Sequence, residues 1–233
     1  GVCFGYGSIG NRGEPRSPFG SPRMEEGKDA LGLRIPVARV ADMLLEPGKK
    51  LTFDGGEIEY PDIRLVYWAG GNPFHHHQDL NRLVRAFAKP ETIIVNEIFW
   101  TATARRADIV FPSTTALERN DLGASSSDNH LMAMKRQILP FANARDDYEI
   151  FHCLAQRLGV DAAFSLGLDE MGWLRRLYGQ FAERYAYAGH PLPSFDDFWT
   201  SEVLPLPGAA EHVDLFSDFR ADAERHPLAT PSG

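Results

Sequence analysis

The sequence predicts an α/β fold, a parallel sheet flanked by helices, and three observations predict it. An apolar run from Ile63 to Trp68 stops at Gly70-Gly71-Asn72-Pro73. An amphipathic segment around 78–88 follows, with Leu80, Leu83, Val84 and Phe87 at helical spacing. A second apolar run, Thr92 to Val95, then ends at Asn96-Glu97. Buried strand, glycine turn, helix and buried strand make one βαβ unit. The arrangement is therefore Rossmann-like, with loop-rich N-terminal and C-terminal extensions. Ligands of such sheets sit beyond the carboxyl ends of the strands. Both runs end there in a carboxamide, Asn72 and Asn96, which points to a nucleotide-like ligand.

Before this unit, residues 1–36 form a loop-rich segment of Gly, Pro, Ser and charge. It contains Gly5-Tyr6-Gly7-Ser8-Ile9-Gly10, formally GxGxxG, but Pro15, Pro18 and Pro22 forbid the helix a dinucleotide fingerprint needs. Loop glycines are the better reading. Val37 to Leu45 has helical spacing and stops before Pro47-Gly48. Leu51 to Tyr60, with Asp54-Gly55-Gly56 at its middle, reads as a small hairpin. After the βαβ unit, Phe99 to Ala107 reads as a short helix and Asp108 to Phe111 as a third strand closed by Pro112. Thr114 to Ala124 reads as loop, and Leu131 to Ile138 as a further strand. Asp146-Asp147 opens a helix whose inward face is Ile150, Leu154 and Leu158, ended by Gly159. A second helix, Asp169 to about Ala188, turns Trp173, Leu174, Leu177, Phe181 and Tyr185 inward, and Phe195 to Thr200 is a short third. Met132 and Met134 read as core, and the tail from Pro205 as a linker toward a further domain. The organisation expected is 1–36 loop-rich, 37–160 α/β and ligand-binding, and 161–233 helical extension and linker.

Composition narrows the function. The apolar share of 43% and charged share of 24% in 233 residues are ordinary for a globular chain. A net charge of −8 argues against nucleic acid or an anionic membrane as the main partner. Backbone amides can still hold a pyrophosphate inside an acidic protein. Cys3 and Cys153 show no CxxC spacing, so a disulfide scaffold or a cysteine-rich metal site is not expected. No apolar run approaches the roughly 20 residues of a membrane span.

Each candidate residue has two readings. Gly70 and Gly71 let a backbone approach a ligand closely. Asn72 either faces that ligand, or caps the helix that follows or forms an Asx turn. Three consecutive histidines, His75 to His77, cannot face one metal ion from a single element. At a helix start beside the turn, His76 and His77 either donate to phosphate or ribose oxygens or are ordinary polar residues. Thr101 and Thr103 bind ligand oxygens or cap and pack. The Asp108 carboxylate can accept two hydrogen bonds from guanine, or pair with Arg105 or Arg106. Glu118 to Asp121 form a polar cluster whose plainer reading is loop stabilisation. No serine stands in a nucleophile-elbow context, and carboxylate spacing nominates no glycosidase pair.

The stretches WAGGNPFHHHQDLNRL and WTATARRADIVFPSTTALERND resemble the molybdopterin oxidoreductases of the dimethyl sulfoxide reductase family. The likeness is greatest to the branch that holds the biotin sulfoxide and trimethylamine N-oxide reductases. It continues more weakly through IPVARVADMLLEPGKK, YPDIRLVYWAGGNP, ARDDYEIF, DEMGWLRRLY, LPSFDDFW and HPLATPSG. The resemblance implies an internal piece of a larger enzyme that reduces S-oxides or N-oxides by oxygen-atom transfer at molybdenum. It implies that 37–160 holds part of a bis-molybdopterin guanine dinucleotide cofactor, through Gly70, Gly71, Asn72, His76, His77, Asn96, Thr101 and Asp108. The family often has a related residue in place of Asn96, so its implied role follows from position. A serine ligand to molybdenum is implied before Gly1, so the piece alone is expected to be inactive. The partners implied are a small S-oxide or N-oxide and an electron donor that no residue here identifies. The family's members include both cytoplasmic and periplasmic proteins. The same sheet and turns also suit a stand-alone guanine-nucleotide or cofactor-binding module without redox activity.

Overall fold

A computed structural model describes residues 20–24, 33–53, 56–124, 130–207 and 216–228. The GxGxxG segment at 5–10 and the Asp54-Gly55 tip lie outside them. The described chain divides into two compact units, one drawn from 33–112 and 216–228, the other from 20–24 and 113–207.

The first unit opens with a 3-10 turn at Val37–Arg39 and α1, Val40–Leu45. Strands β1, Lys50–Phe53, and β2, Gly56–Glu59, pair antiparallel as the expected hairpin. Then come β3, Leu65–Ala69; α2, Pro73–His76; α3, Leu80–Phe87; β4, Thr92–Glu97; and β5, Ile109–Pro112. β3, β4 and β5 form one parallel sheet in that order, with Ala69 opposite Asn96 and Asn96 opposite Phe111. The core packs Val40, Met43 and Leu44 of α1 and Leu83, Ala86 and Phe87 of α3 with Trp68, Ile93 and Val95 of the sheet. An Arg82 guanidinium donates through Nε (3.0 Å) and Nη2 (2.7 Å) to Oδ1 of Asp42, tying α3 to α1. Burial pushes the Asp42 carboxyl up, but hydrogen bonds from Arg39 and Arg82 outweigh it and hold the group below its ordinary range.

The helix expected around 78–88 is present as α3, and the structure departs from expectation at two other points between these strands. The crossover is two helices, because the chain breaks at His77–Asp79 and Asp79, in a left-handed conformation, starts α3 by accepting from Arg82 N–H at 3.0 Å. The histidines thus stand on a separate single turn. Phe99 to Ala107 shortens to one 3-10 turn, Ala104–Arg106. Threonine hydroxyls in that stretch take up backbone and side-chain partners that compete with helix.

In the second unit β6, Asp121–Gly123, β7, His130–Met134, and β8, Val203–Pro205, form an antiparallel sheet. The helices are α4, Asp147–Leu158; α5, Asp161–Ser165; α6, Glu170–Tyr187; and α7, Phe195–Ser201, and the core joins Leu131 of β7 with Tyr178, Phe181 and Tyr185 of α6 and Phe198 of α7. Asp146 caps α4, accepting from Glu149 N–H at 2.7 Å, and Gly159 ends it in a left-handed conformation. β6 falls where loop was expected, and α5 and β8 were not anticipated. Met132 is exposed rather than core, since β7 turns Leu131 and Ala133 inward. Leu158, expected inward, is exposed at the end of α4. The described residues form a mixed α/β structure with one parallel and two antiparallel sheets. A last short helix, α8, spans Ser217–Ala221. No described helix is long and apolar enough to cross a membrane.

Candidate functional site

Parallel strands bring their carboxyl ends to one edge, and here that edge carries the turn after β3 and the loop after β4. Gly70 and Gly71 lie at φ 79° and 75°. Two consecutive left-handed residues require glycine on conformational grounds. The space around a Cβ at Gly70 is open, so crowding plays no part there. Asn72 precedes α2 but its side chain makes no capping bond. The capping alternative is therefore not realised. Its amide oxygen instead accepts the Thr103 hydroxyl, and the same hydroxyl oxygen accepts Phe74 N–H at 3.3 Å.

Asn96 is the last residue but one of β4, the central strand, and is only 5% exposed. Its amide oxygen accepts the Tyr67 hydroxyl at 2.8 Å. Both carboxamides are thus held by a hydroxyl from a neighbouring strand or loop. Thr103 was one of two readings at its position, and Tyr67 carried no sequence signal, because only the β3–β4 register places it beside Asn96.

His76 is exposed, whereas His77 is half-buried. The Nε2 atom of His77 is buried and has no hydrogen-bond partner among the described residues. Burial, and next the neighbouring His76, hold the His77 imidazole below its ordinary range, so it is neutral at pH 7. Among the described residues no group of three or more His, Cys, Asp and Glu side chains could hold a metal ion.

Thr101 lies in the same loop, with both hydroxyl functions engaged. It donates to Glu97 Oε2 at 2.9 Å and accepts Ala104 N–H at 3.2 Å. Asp108 is not brought to this edge. It stands at the entry to β5, the amino end of the sheet, and its Oδ2 accepts Ile93 N–H at 2.8 Å. Nor does it pair with the neighbouring arginines. Arg105 donates to Trp100 O at 3.1 Å, and Arg106 donates to Ala102 O while lying 4.4 Å over the Phe74 ring.

The polar cluster after β5 is structural. Glu118 accepts Thr115 N–H, the Thr115 hydroxyl and Phe141 N–H, and the Thr115 backbone bond leads the causes that hold its carboxyl below the ordinary range. Asn120 binds both oxygens of Glu170, at 2.9 and 2.8 Å, and accepts Arg136 N–H.

The sequence is similar to those of several known proteins. Biotin sulfoxide reductase of Cereibacter sphaeroides is 48% identical over 235 residues, covering 100% of this chain and 31% of the relative. The dimethyl sulfoxide/trimethylamine N-oxide reductase of the same organism is 48% identical over 203 residues, 85% of this chain and 25% of its own length. Trimethylamine-N-oxide reductase of Haemophilus influenzae is 48% identical over 206 residues, again 85% and 25%. The chain therefore spans between 25% and 31% of the length of these relatives. The molybdopterin oxidoreductase family model matches residues 8–157. On that match the chain belongs to the molybdopterin oxidoreductase family.

Proposed function

We propose that this chain supplies part of a bis-molybdopterin guanine dinucleotide site in a molybdenum enzyme that reduces S-oxides or N-oxides. The supporting observation is that Asn72 and Asn96 stand at the carboxyl edge of β3 and β4, while the short helix that follows Asn72 ends at His77, whose Nε2 is buried without a partner among the described residues. A buried imidazole nitrogen without a partner costs stability unless a ligand group satisfies it. The Asn72 amide and the His77 nitrogen fit a dinucleotide rich in phosphate, ribose and carbonyl oxygens. Gly70, Gly71, Asn72, His76, His77 and Asn96 are the proposed contacts, with Thr101 supporting the loop. On this reading the sheet is Rossmann-like, 37–160 is the cofactor-binding region, and 1–36 and 161–233 are extensions of it.

When bound, the cofactor would supply the redox chemistry, in which an S-oxide or N-oxide, two electrons from an electron donor and two protons give the sulfide or amine and water. The residues of this chain hold and orient the group. The glycine turn, Gly70-Gly71, would let a ligand approach the backbone closely. The neutral His77 offers a ligand a hydrogen-bonding nitrogen without adding charge. Asn96, fixed by Tyr67, closes the central strand.

The test is Asn72→Leu in the full-length enzyme. It removes a polar partner, and affinity for the cofactor is expected to fall by about one to two decades. Molybdenum and released GMP, measured beside the unfolding midpoint of the cofactor-free protein, should both drop at an unchanged midpoint. Full cofactor content in that variant would make the turn purely structural.

A further inference from the structure

We infer that Thr103 is a positioning residue: its hydroxyl fixes the orientation of the Asn72 amide so that the turn presents an N–H donor to an acceptor oxygen of the ligand. This rests on the cofactor site proposed above and adds to it which way that site is polarised.

Thr103 is fully buried, immediately before the 3-10 turn at Ala104–Arg106. A hydroxyl has one hydrogen to give and lone pairs to receive. The Thr103 oxygen receives Phe74 N–H at 3.3 Å, and its hydrogen goes to the amide oxygen of Asn72. One side chain thereby ties the loop after β4 to both the turn after β3 and the first residues of α2. The Thr103 hydroxyl has no other acceptor among the described residues. If the amide were reversed, its NH2 would point at an oxygen already receiving Phe74 N–H. The buried hydroxyl hydrogen would then have nothing to bond. The observed orientation satisfies all three groups, so it is strongly preferred.

The consequence lies on the other side of the amide. Asn72 is half-buried, its oxygen is taken, and its NH2 has no acceptor among the described residues. The group it meets must therefore accept, as a phosphoryl or carbonyl oxygen does, and a ligand donor at that point is disfavoured. Arg106 reinforces the placement from outside: its guanidinium lies 4.4 Å over Phe74, whose N–H the Thr103 hydroxyl receives.

The experiment uses full-length enzyme purified with its cofactor, with molybdenum and released GMP quantified per protein. Thr103→Val keeps the shape and removes the hydroxyl, and is expected to lower both contents about tenfold in apparent affinity. Thr103→Ser restores the hydroxyl and should recover most of the content. Asn72→Asp keeps the acceptor for Thr103 but removes the NH2, and should lose as much cofactor as Asn72→Ala. Thr103→Val added to Asn72→Ala should cost nothing further, because the threonine acts through the asparagine.

Several results would overturn the inference. They are full cofactor content in Thr103→Val or Asn72→Asp, no rescue by serine, or an additive loss in the double variant. Full content in Asn72→Ala would instead remove the cofactor-site reading itself, so the two failures are distinguishable. If Thr103→Val does not fold, Asn72→Asp alone still decides the polarity.

Discussion

The carboxylate of Asp108 closes the amino end of the parallel sheet, while the two asparagines stand at its other end. The position Asp108 occupies was legible in the sequence, but its partner was not. A charged residue at a strand start invites pairing with the arginines beside it, yet both arginines turn back to carbonyls of their own loop. The carboxylate bonds instead across the sheet to Ile93 N–H. Replacing Asp108 with Ala is therefore expected to loosen the entry to β5, at a cost of about 1 kcal/mol. It should leave the GMP content of the full-length enzyme unchanged. Urea unfolding measures the first effect and nucleotide release the second. Lost GMP at unaltered stability would return Asp108 to the list of base-reading residues. Asn72 and Asn96 behave differently from Asp108. Each is a carboxamide at the carboxyl edge, and each gives its oxygen to a hydroxyl from a neighbouring strand or loop. The sequence showed the two amides, since they end consecutive apolar runs. It did not show the hydroxyls, because both bonds span roughly thirty residues and depend on strand register.

Among the elements, long periodic stretches were readable and short ones were not. The order β3, helix, β4, β5 followed from apolar runs separated by glycine and proline signals, α4 from its N-terminal acids and spacing, and α6 from its inward-facing spacing. β6 and β8 have three residues each, too few to show a period, and are strands only because β7 lies between them. The stretch 99–107 has apolar residues at helical spacing. Even so, Thr101 bonds to Glu97 and Ala104, and Thr103 to Asn72 and Phe74, which leaves one 3-10 turn. Tyr178 of α6 was missed as a core residue although it is buried, stacking on Phe198 of α7 at 4.8 Å and 8°. Its hydroxyl donates to Pro193 O at 2.8 Å, joining α6 to the segment before α7. Burial first, then the nearby Asp197 charge, pushes the phenol from 10.0 up to about 12. A group whose folded value is raised favours the folded state fully below its unfolded value and loses that contribution as pH rises through the folded one. The joint between α6 and α7 should thus weaken between pH 10 and about 12. Tyr178→Phe keeps the ring stack, loses about 1 kcal/mol for the hydrogen bond, and should remove this part of the alkaline sensitivity. Thermal midpoints of the two proteins across that pH range are expected to converge. Parallel curves would mean that the phenol stays protonated for another reason.

At the scale of the whole molecule, the described residues expose large apolar side chains that stand close together in sequence. Ile98, Phe99 and Trp100 are exposed in sequence after β4, and Leu117, Ile138, Leu139 and Phe141 are exposed in the second unit. Single exposed hydrophobic residues are ordinary, but consecutive ones mark surfaces that something covers. The chain spans only 31% of the length of its relative from Cereibacter sphaeroides, so the remainder of a full-length protein is the covering material expected here. The 233-residue chain produced alone should then bind a dye that fluoresces on apolar surfaces and should self-associate as concentration rises. Phe99→Ser with Trp100→Ser, or Leu139→Ser with Phe141→Ser, should each reduce both effects without lowering the unfolding midpoint, because these side chains contribute little to either core. The full-length protein should bind little dye at equal molarity. Equal dye binding by both proteins would mean that these surfaces stay open in the complete enzyme and serve a partner outside the chain.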